Sequence, residues 1–403
     1  MRNWAGNVTY STERVLRPCT VEEACELVAA NAAIRPLGTR HSFSRVADAT
    51  GALLSTEHLD RIVEVGEQTV TVESGIRYGE LGAALDRQGL AIANYASLPH
   101  ISVGGAVATA THGSGAANPS LSAAVAAIEL VRPDGSLLHL RRGDDAFPGA
   151  VVALGALGPV VRLTLDIQPA FALRQQVFER LPWGAVETHL DELLGLAYSV
   201  SLFTLWTEAG VEQVWVKSSD VVAECFGAVP APGPRHPIAG AAPENCTEQL
   251  GVPGPPHERL PHFRLGFTPS GGDELQSEYA VAREHAVPAL RALRPLGAKL
   301  TPLLLVSEIR AVAADDLWLS PFYGRDSVTI HFTWKPLGPE VEAVLPLVEA
   351  ALAPFAARPH WGKVFLAPPL DRYPKLPAFR ALRRELDPAG KFASDFLAQS
   401  AGT

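Results

Sequence analysis

Three groups of residues in this chain have types and spacings suited to chemistry. The first is Pro36-Leu-Gly-Thr-Arg-His-Ser-Phe-Ser44, where a short apolar strand, Ile34 to Leu37, runs into a glycine, small hydroxyls and a histidine. Gly38 permits a tight turn and close approach to a ligand, and hydroxyls beside exposed N–H groups suit an anion. His41 adds an imidazole nucleophile. The second group, Ser102-Val-Gly-Gly-Ala-Val-Ala-Thr-Ala-Thr-His-Gly-Ser-Gly115, repeats the theme with four glycines. Together the two loops read as walls for a long, phosphate-bearing cofactor. The third group is Glu308 with Arg310, His331 with Thr333, and Lys363. Each i, i+2 pair on a strand points to one face. Singly, Glu-x-Arg is commonest as a solvated ion pair, and a strand histidine as a satisfied core group. Two neighbouring strands that both present polar pairs shift the balance to a pocket. Lys363 on its own also fits a surface lysine whose stem covers Trp361.

The elements that must position these groups follow from local pattern. Thr20-Val-Glu-Glu23 is a capping box opening a helix to about Asn31. Strands are predicted at Ala52 to Ser55, Arg61 to Val65, Thr69 to Ser74 and Pro159 to Ile167, with a helix from Tyr78 to Gln88 stopped by Gly89. Ala127 to Arg132 and Leu137 to Arg141 pair through the turn Pro133-Asp-Gly-Ser136. Residues 225 to 272 are rich in Pro and Gly and read as a long extended excursion, a length that usually carries function. Beyond them the pattern predicts a strand from Phe263 to Thr268 and a helix from about Asp273 to Leu293. Strands at Leu303 to Arg310 and Ser327 to Trp334 and a helix at Pro339 to Phe355 follow. Strands and helices mingle without βαβ alternation, so the fold class is α+β.

Composition bounds the rest. The 403 residues allow two or three domains, and high apolar with low charged content fits a compact enzyme. Net charge is 34 − 43 = −9 with no basic run, so no nucleic-acid partner is expected. No stretch of ~18 apolar residues occurs, so no membrane association is expected and the chain reads as cytoplasmic. Cys19, Cys25, Cys225 and Cys246 lack metal spacing, and no metal is expected. His257 and His262 flank Glu258 without a zinc pattern and read as loop residues. GxGxxG, the Walker phosphate loop and GxSxG are all absent, which disfavours Rossmann-type binding and hydrolase chemistry.

The Arg35 to Phe43 stretch, Leu98-Pro-His-Ile-Ser-Val-Gly-Gly and Thr111-His-Gly-Ser-Gly115 resemble the FAD-binding domain of the vanillyl-alcohol-oxidase family. Ser307-Glu-Ile-Arg310, Asp316 to Asp326, His331-Phe-Thr-Trp334 and Pro359-His-Trp-Gly-Lys363 resemble its members that oxidise sugar alcohols such as xylitol and sorbitol. The resemblance spans nearly the whole chain. It implies a two-subdomain FAD-binding domain over residues 1–180, rejoined by 367–403, and a substrate (cap) domain with an antiparallel sheet over 181–366. It implies FAD held covalently through His41. Pro36, Leu37, Gly38, Thr39, Arg40 and Ser42 would embrace the pyrophosphate. Ser102, Val107, Ala110, Ser114, Gly115, Ala116 and Ala117 would line the ribityl chain and ring, with Val161 at the adenine end and His360 near the isoalloxazine. Arg310 and Lys363 would stabilise alkoxide charge at C1, while Glu308, Ser102, His331 and Thr333 hold neighbouring hydroxyls. Hydride would pass to flavin N5, and O2 would be reduced to H2O2. Partners would be a small polyol and O2, acting on a monomer. A sugar-lactone oxidase or dehydrogenase of the same fold is the alternative.

Overall fold

The glycine and hydroxyl loop after Leu37 hangs from a small parallel sheet, ordered Val15–Leu16, Ala52–Ser55, Ile34–Leu37. A computed structural model of the chain describes residues 1–267 and 272–400. Helix Val21–Ala30 covers this sheet. Thr20 Oγ1 accepts the Glu23 N–H at 3.1 Å, as the capping pattern predicts, while Glu23 Oε2 accepts the N–H of Cys19, one residue ahead of the cap, at 2.7 Å. A second, five-stranded antiparallel sheet runs Ile62–Val65, Thr69–Glu73, Val160–Asp166, Val125–Val131, Leu137–Arg141. Its last two strands pair in the expected hairpin, Ala127 opposite Arg141.

The remaining half is an eight-stranded antiparallel sheet. Its order is Val229–Pro230, Arg174–Leu181, Val211–Ser218, Ser199–Thr204, Leu304–Val312, Ser327–Trp334, Leu275–Ala282, Arg358–Pro359. It begins at Arg174, ahead of residue 181. One face carries Leu202, Ile309, Ile330, Phe332 and Trp334 and packs under helices Trp183–Leu194, Ala286–Leu293 and Gly338–Leu352. Burying one aliphatic or aromatic side chain of this kind contributes roughly 1.5–3 kcal/mol, so this face anchors the sheet. The opposite face is the polar one described below. Residues 370–397 return to the first half, where Tyr373, Leu376, Phe379 and Leu397 join its core.

Two expectations change. Asp273 to Leu293 is not one helix: Leu275–Ala282 is a strand and only Ala286–Leu293 is α-helical. Helix-forming Glu, Gln and Ala residues yield here to ladders with Ser327–Trp334 and Arg358–Pro359, since tertiary pairing overrides weak intrinsic preference. The strand at Phe263 does not form either. Phe263 makes one bridge to Cys246 and the chain turns at once; Thr268 lies outside the described residues.

Candidate active site

One continuous cavity runs from the Pro36–Ser42 loop to the polar face of the large sheet. Its first end is built from backbone. Among the described residues the N–H groups of Gly38, Thr39, Arg40, His41 and Ser42 find no acceptor within the chain. Arg40 takes the left-handed conformation (φ 64°), a geometry that turns successive amides inward as an anion nest. A side chain at Gly38 would put its Cβ 2.8 Å from Ser102 Oγ, so the hydroxyl would have to move for anything larger than glycine. The loop is clamped from both ends of the chain. Asn3 Nδ2 donates to Ser42 O at 2.9 Å, Trp4 N to Arg40 O at 2.9 Å, and Phe43 N to Gly362 O at 2.6 Å.

His41 lines the cavity with its ring stacked on Trp4, centroids 5.1 Å apart. Its Nδ1 is buried without a hydrogen-bond partner. Burial pushes its pKa down to about 4, so the imidazole is neutral and nucleophilic at neutral pH. Open amides and an imidazole nitrogen without a partner fit a diphosphate-bearing cofactor.

The second end is set by strand register. Phe203, Glu308, His331 and Glu278 stand in one row across four adjacent strands, with Val306, Thr333 and Gln276 in a neighbouring row on the same face. All seven line the cavity, with Arg310, His360 and Lys363. Glu278 is the hub. Its Oε2 accepts from Lys363 Nζ at 2.6 Å, and its Oε1 accepts from Arg310 Nη2 at 2.7 Å with His112 Nε2 at 3.2 Å. Burial opposes the charge on Glu278, but Lys363 and Arg310 outweigh it and hold the carboxyl well below its ordinary range. Lys363 also donates to His331 Nδ1, which leaves the His331 Nε2–H to bond Thr333 Oγ1 at 2.9 Å. Burial, then Lys363, lowers His331 to about 4, consistent with this neutral tautomer. Glu308 Oε1 is bonded by His262 Nε2 at 2.8 Å, and Oε2 stands 3.5 Å from Arg310 Nε. Against the cost of burial, Arg310 and His262 keep Glu308 ionised. Two carboxylates and two cations make a cluster of zero net charge, lined by neutral imidazoles. Such a site takes an uncharged, hydroxyl-rich molecule better than a carboxylic acid.

The candidates from sequence divide into two sets. Pro36, Leu37, Gly38, Thr39, Arg40, His41, Ser42, Glu308, Arg310, His331, Thr333, His360 and Lys363 come together on the cavity wall. Ser102 stands just behind it, its buried hydroxyl without a partner beside Gly38. Val107 and Ala110 are buried in the core behind the loop, and Val161 packs with Val21, Ile34 and Phe392. Ser114 and Gly115 bond the large sheet, Ser114 Oγ donating to Val200 O and Gly115 N to Ala311 O at 3.0 Å, and Ala116 packs against its core.

Sequence reasoning missed Glu278, hidden in a segment with a helical pattern, and His112, read only as part of a small-residue loop. It also set His262 aside as a loop residue; the structure buries it on the cavity wall against Glu308, because the excursion folds back over the sheet. That excursion does supply part of the site, with Pro237, Ile238, His262 and Phe263 on the wall.

The whole chain superposes on solved cholesterol oxidases. The enzyme from B. sterolicum matches with a TM-score of 0.77 at 16% identity over 99% of this chain and 96% of that one. A solvent-stable cholesterol oxidase matches with a TM-score of 0.79 at 17% identity, covering 100% and 97%. At such identity the likeness establishes the fold. The family model of an FAD binding domain matches residues 12–141, and that of D-arabinono-1,4-lactone oxidase matches 273–400. Fold and site together define an FAD-dependent oxidoreductase of the vanillyl-alcohol-oxidase type. The alditol oxidase of Streptomyces sp. is 48% identical over 98% of this chain and 97% of its own, whereas the L-gulono-1,4-lactone dehydrogenase of Mycobacterium tuberculosis is 29% identical over 99% and 98%. The L-gulonolactone oxidase of Mus musculus is 26% identical over 98% and 97%. The chain belongs to the alditol oxidase family. Among the described residues no helix is long and apolar enough to cross a membrane.

Proposed function

We propose that this protein oxidises the terminal (C1) hydroxyl of alditols such as xylitol and sorbitol to the aldose, with O2 reduced to H2O2. The observation that carries the reading is the single cavity joining a phosphate-ready loop and His41 to the neutral four-charge cluster on the large sheet. The similarity to the Streptomyces enzyme supports the substrate class. FAD, bound along Pro36–Ser42 and tethered at His41, supplies the hydride acceptor and the route of the electron pair to O2.

The chain's own residues do the rest. Lys363 spends two N–H groups on Glu278 and His331, and the third is available to the reacting oxygen. With Arg310 it stabilises the charge that develops there, the preorganised electrostatic role that usually dominates catalysis. Glu308 Oε2 and Thr333 Oγ1 receive or donate to neighbouring hydroxyls, because a buried hydroxyl left unpaired costs roughly 1–3 kcal/mol. His331 holds Thr333 and Lys363 in place, and Ser102, unpartnered beside Gly38, is available to cofactor or substrate. His360, on the cavity wall, would approach the isoalloxazine. The same reading carries a cytoplasmic monomer acting on a small polyol.

A lactone is also neutral, and the match of residues 273–400 to the lactone oxidase model supports that second reading. Peroxide release from xylitol, sorbitol and an aldono-1,4-lactone in air separates the two. Faster turnover of the lactone than of any alditol would reject the alditol assignment. Acid precipitation checks the tether: wild-type protein stays yellow, His41→Ala loses its flavin to the supernatant, and flavin washed from the wild type rejects the linkage.

A further inference from the structure

The cluster has a buried extension that the reaction as described leaves unused. Lys217, in strand Val211–Ser218, is 1% exposed, and its Nζ bonds Leu260 O at 2.5 Å and His262 Nδ1 at 3.0 Å. Glu308 is ionised and only accepts, and burial keeps His262 neutral, so the single His262 proton sits on Nε2, directed at Glu308 Oε1, and Nδ1 accepts from Lys217 Nζ. The imidazole cannot swing. Phe203 and Trp215 enclose it edge-on at 5.5 and 5.2 Å, and His262 N is held by Ser97 O at 2.9 Å. With Oε1 occupied, the oxygen left to a ligand is Oε2.

We propose that Lys217 is a positioning residue for substrate. Through His262 it locks Glu308 in one orientation, so that Oε2 meets a hydroxyl of the bound polyol at a fixed place. The inference rests on the polyol-oxidase reading above. The partner of one ring nitrogen sets the proton on the other: without Lys217, His262 is free to carry its proton on Nδ1 and present a lone pair to the carboxylate. Glu308 is then repelled and the hydroxyl loses its acceptor.

The test uses the flavin-loaded enzyme with xylitol, reading KM, kcat, flavin content and Tm. Lys217→Met should raise KM ~10-fold or more, the scale of one charge-assisted hydrogen bond, with kcat changed less than ~3-fold. His262→Asn reaches only the Nδ1 position and should match it. His262→Gln places an amide N–H at the Nε2 position and should recover most of the lost affinity relative to His262→Asn. The double variant Lys217→Met/His262→Asn should bind no worse than either single one. A purely structural lysine predicts otherwise: Tm and flavin content fall, and the Gln and Asn variants behave alike. That result overturns the proposal, as does an unchanged KM beside normal wild-type turnover. Should Lys217→Met fail to fold, the Asn–Gln pair at His262 decides alone. Wild-type enzyme that consumes no sugar alcohol overturns the underlying reading, and this inference with it.

Discussion

Lys363 Nζ lies 2.6 Å from Glu278 Oε2, joining residues 85 positions apart across the turn that follows the edge strand Arg358–Pro359. The turn is held to the sheet by its own backbone: His360 N donates to Glu278 O at 2.9 Å and Val364 N to Gln276 O at 2.8 Å. The lysine's position is therefore a property of the Leu275–Ala282 strand as much as of its own loop. Glu278 in turn shares its two oxygens between Lys363 and Arg310, and both cations depend on it.

Replacing that hub should cost both activity and stability. Glu278→Gln leaves buried Lys363 without its counter-charge and Arg310 with Glu308 alone, and breaking a buried pair typically costs about 3–5 kcal/mol. Thermal unfolding should show a Tm lowered by several degrees, and kcat/KM for xylitol should fall at least ~100-fold as Arg310 and Lys363 lose their alignment. Steady-state kinetics at full flavin occupancy check this. A variant with wild-type kcat/KM would remove Glu278 from the site.

Lys363→Ala takes away one donor to the reacting oxygen without touching the Pro36–Ser42 loop. Its kcat/KM should fall by at least ~100-fold, the low end for loss of one oxyanion-type donor. The flavin-to-protein absorbance ratio should stay at the wild-type value. Full turnover would exclude Lys363 from the chemistry.

Acid should weaken the fold before most carboxylates titrate. Burial lowers His262 and His331 from their ordinary value of 6.5 to about 4. The unfolded chain takes up these protons near pH 6.5 and the folded chain only near 4. In that window the unfolded state binds more protons, so stability rises with pH. It is complete above about 6.5 and is lost as pH falls toward 4. The Tm of the holoenzyme should drop between pH 7 and pH 5, with a shallower slope in His331→Asn, which does not titrate. A flat Tm across this range would contradict the assigned neutral tautomers.

Arg35, fully buried below the cofactor end of the cavity, donates to Val46 O at 2.6 Å, Leu154 O at 2.7 Å and Phe392 O at 2.6 Å. Burial lowers its pKa to about 9, so it remains charged at neutral pH. Arg35→Met strands three carbonyls at roughly 1–3 kcal/mol each, and denaturant unfolding should register a loss of more than ~3 kcal/mol. Flavin content should fall with it, because Leu154 and Pro36 line the same cavity. Unchanged stability and flavin loading would reduce Arg35 to a bystander.

Features whose information is local are legible in the residues alone. A glycine between an apolar strand and hydroxyls marks a backbone-lined loop wherever the chain takes it. The i, i+2 spacing of Glu308 and Arg310 puts both on one face as soon as the segment becomes a strand, because pleating alternates side chains regardless of partners. Which groups meet on that face depends on pairing between distant segments. Glu278 lies in residues whose preferences read as helix, and ladders on both sides turn them into a central strand. Lys217, His262 and Glu308 come from two strands and an irregular excursion, so no periodicity links them. Pattern reports what one segment offers; the charge balance of a buried cluster depends on register between segments far apart in the chain.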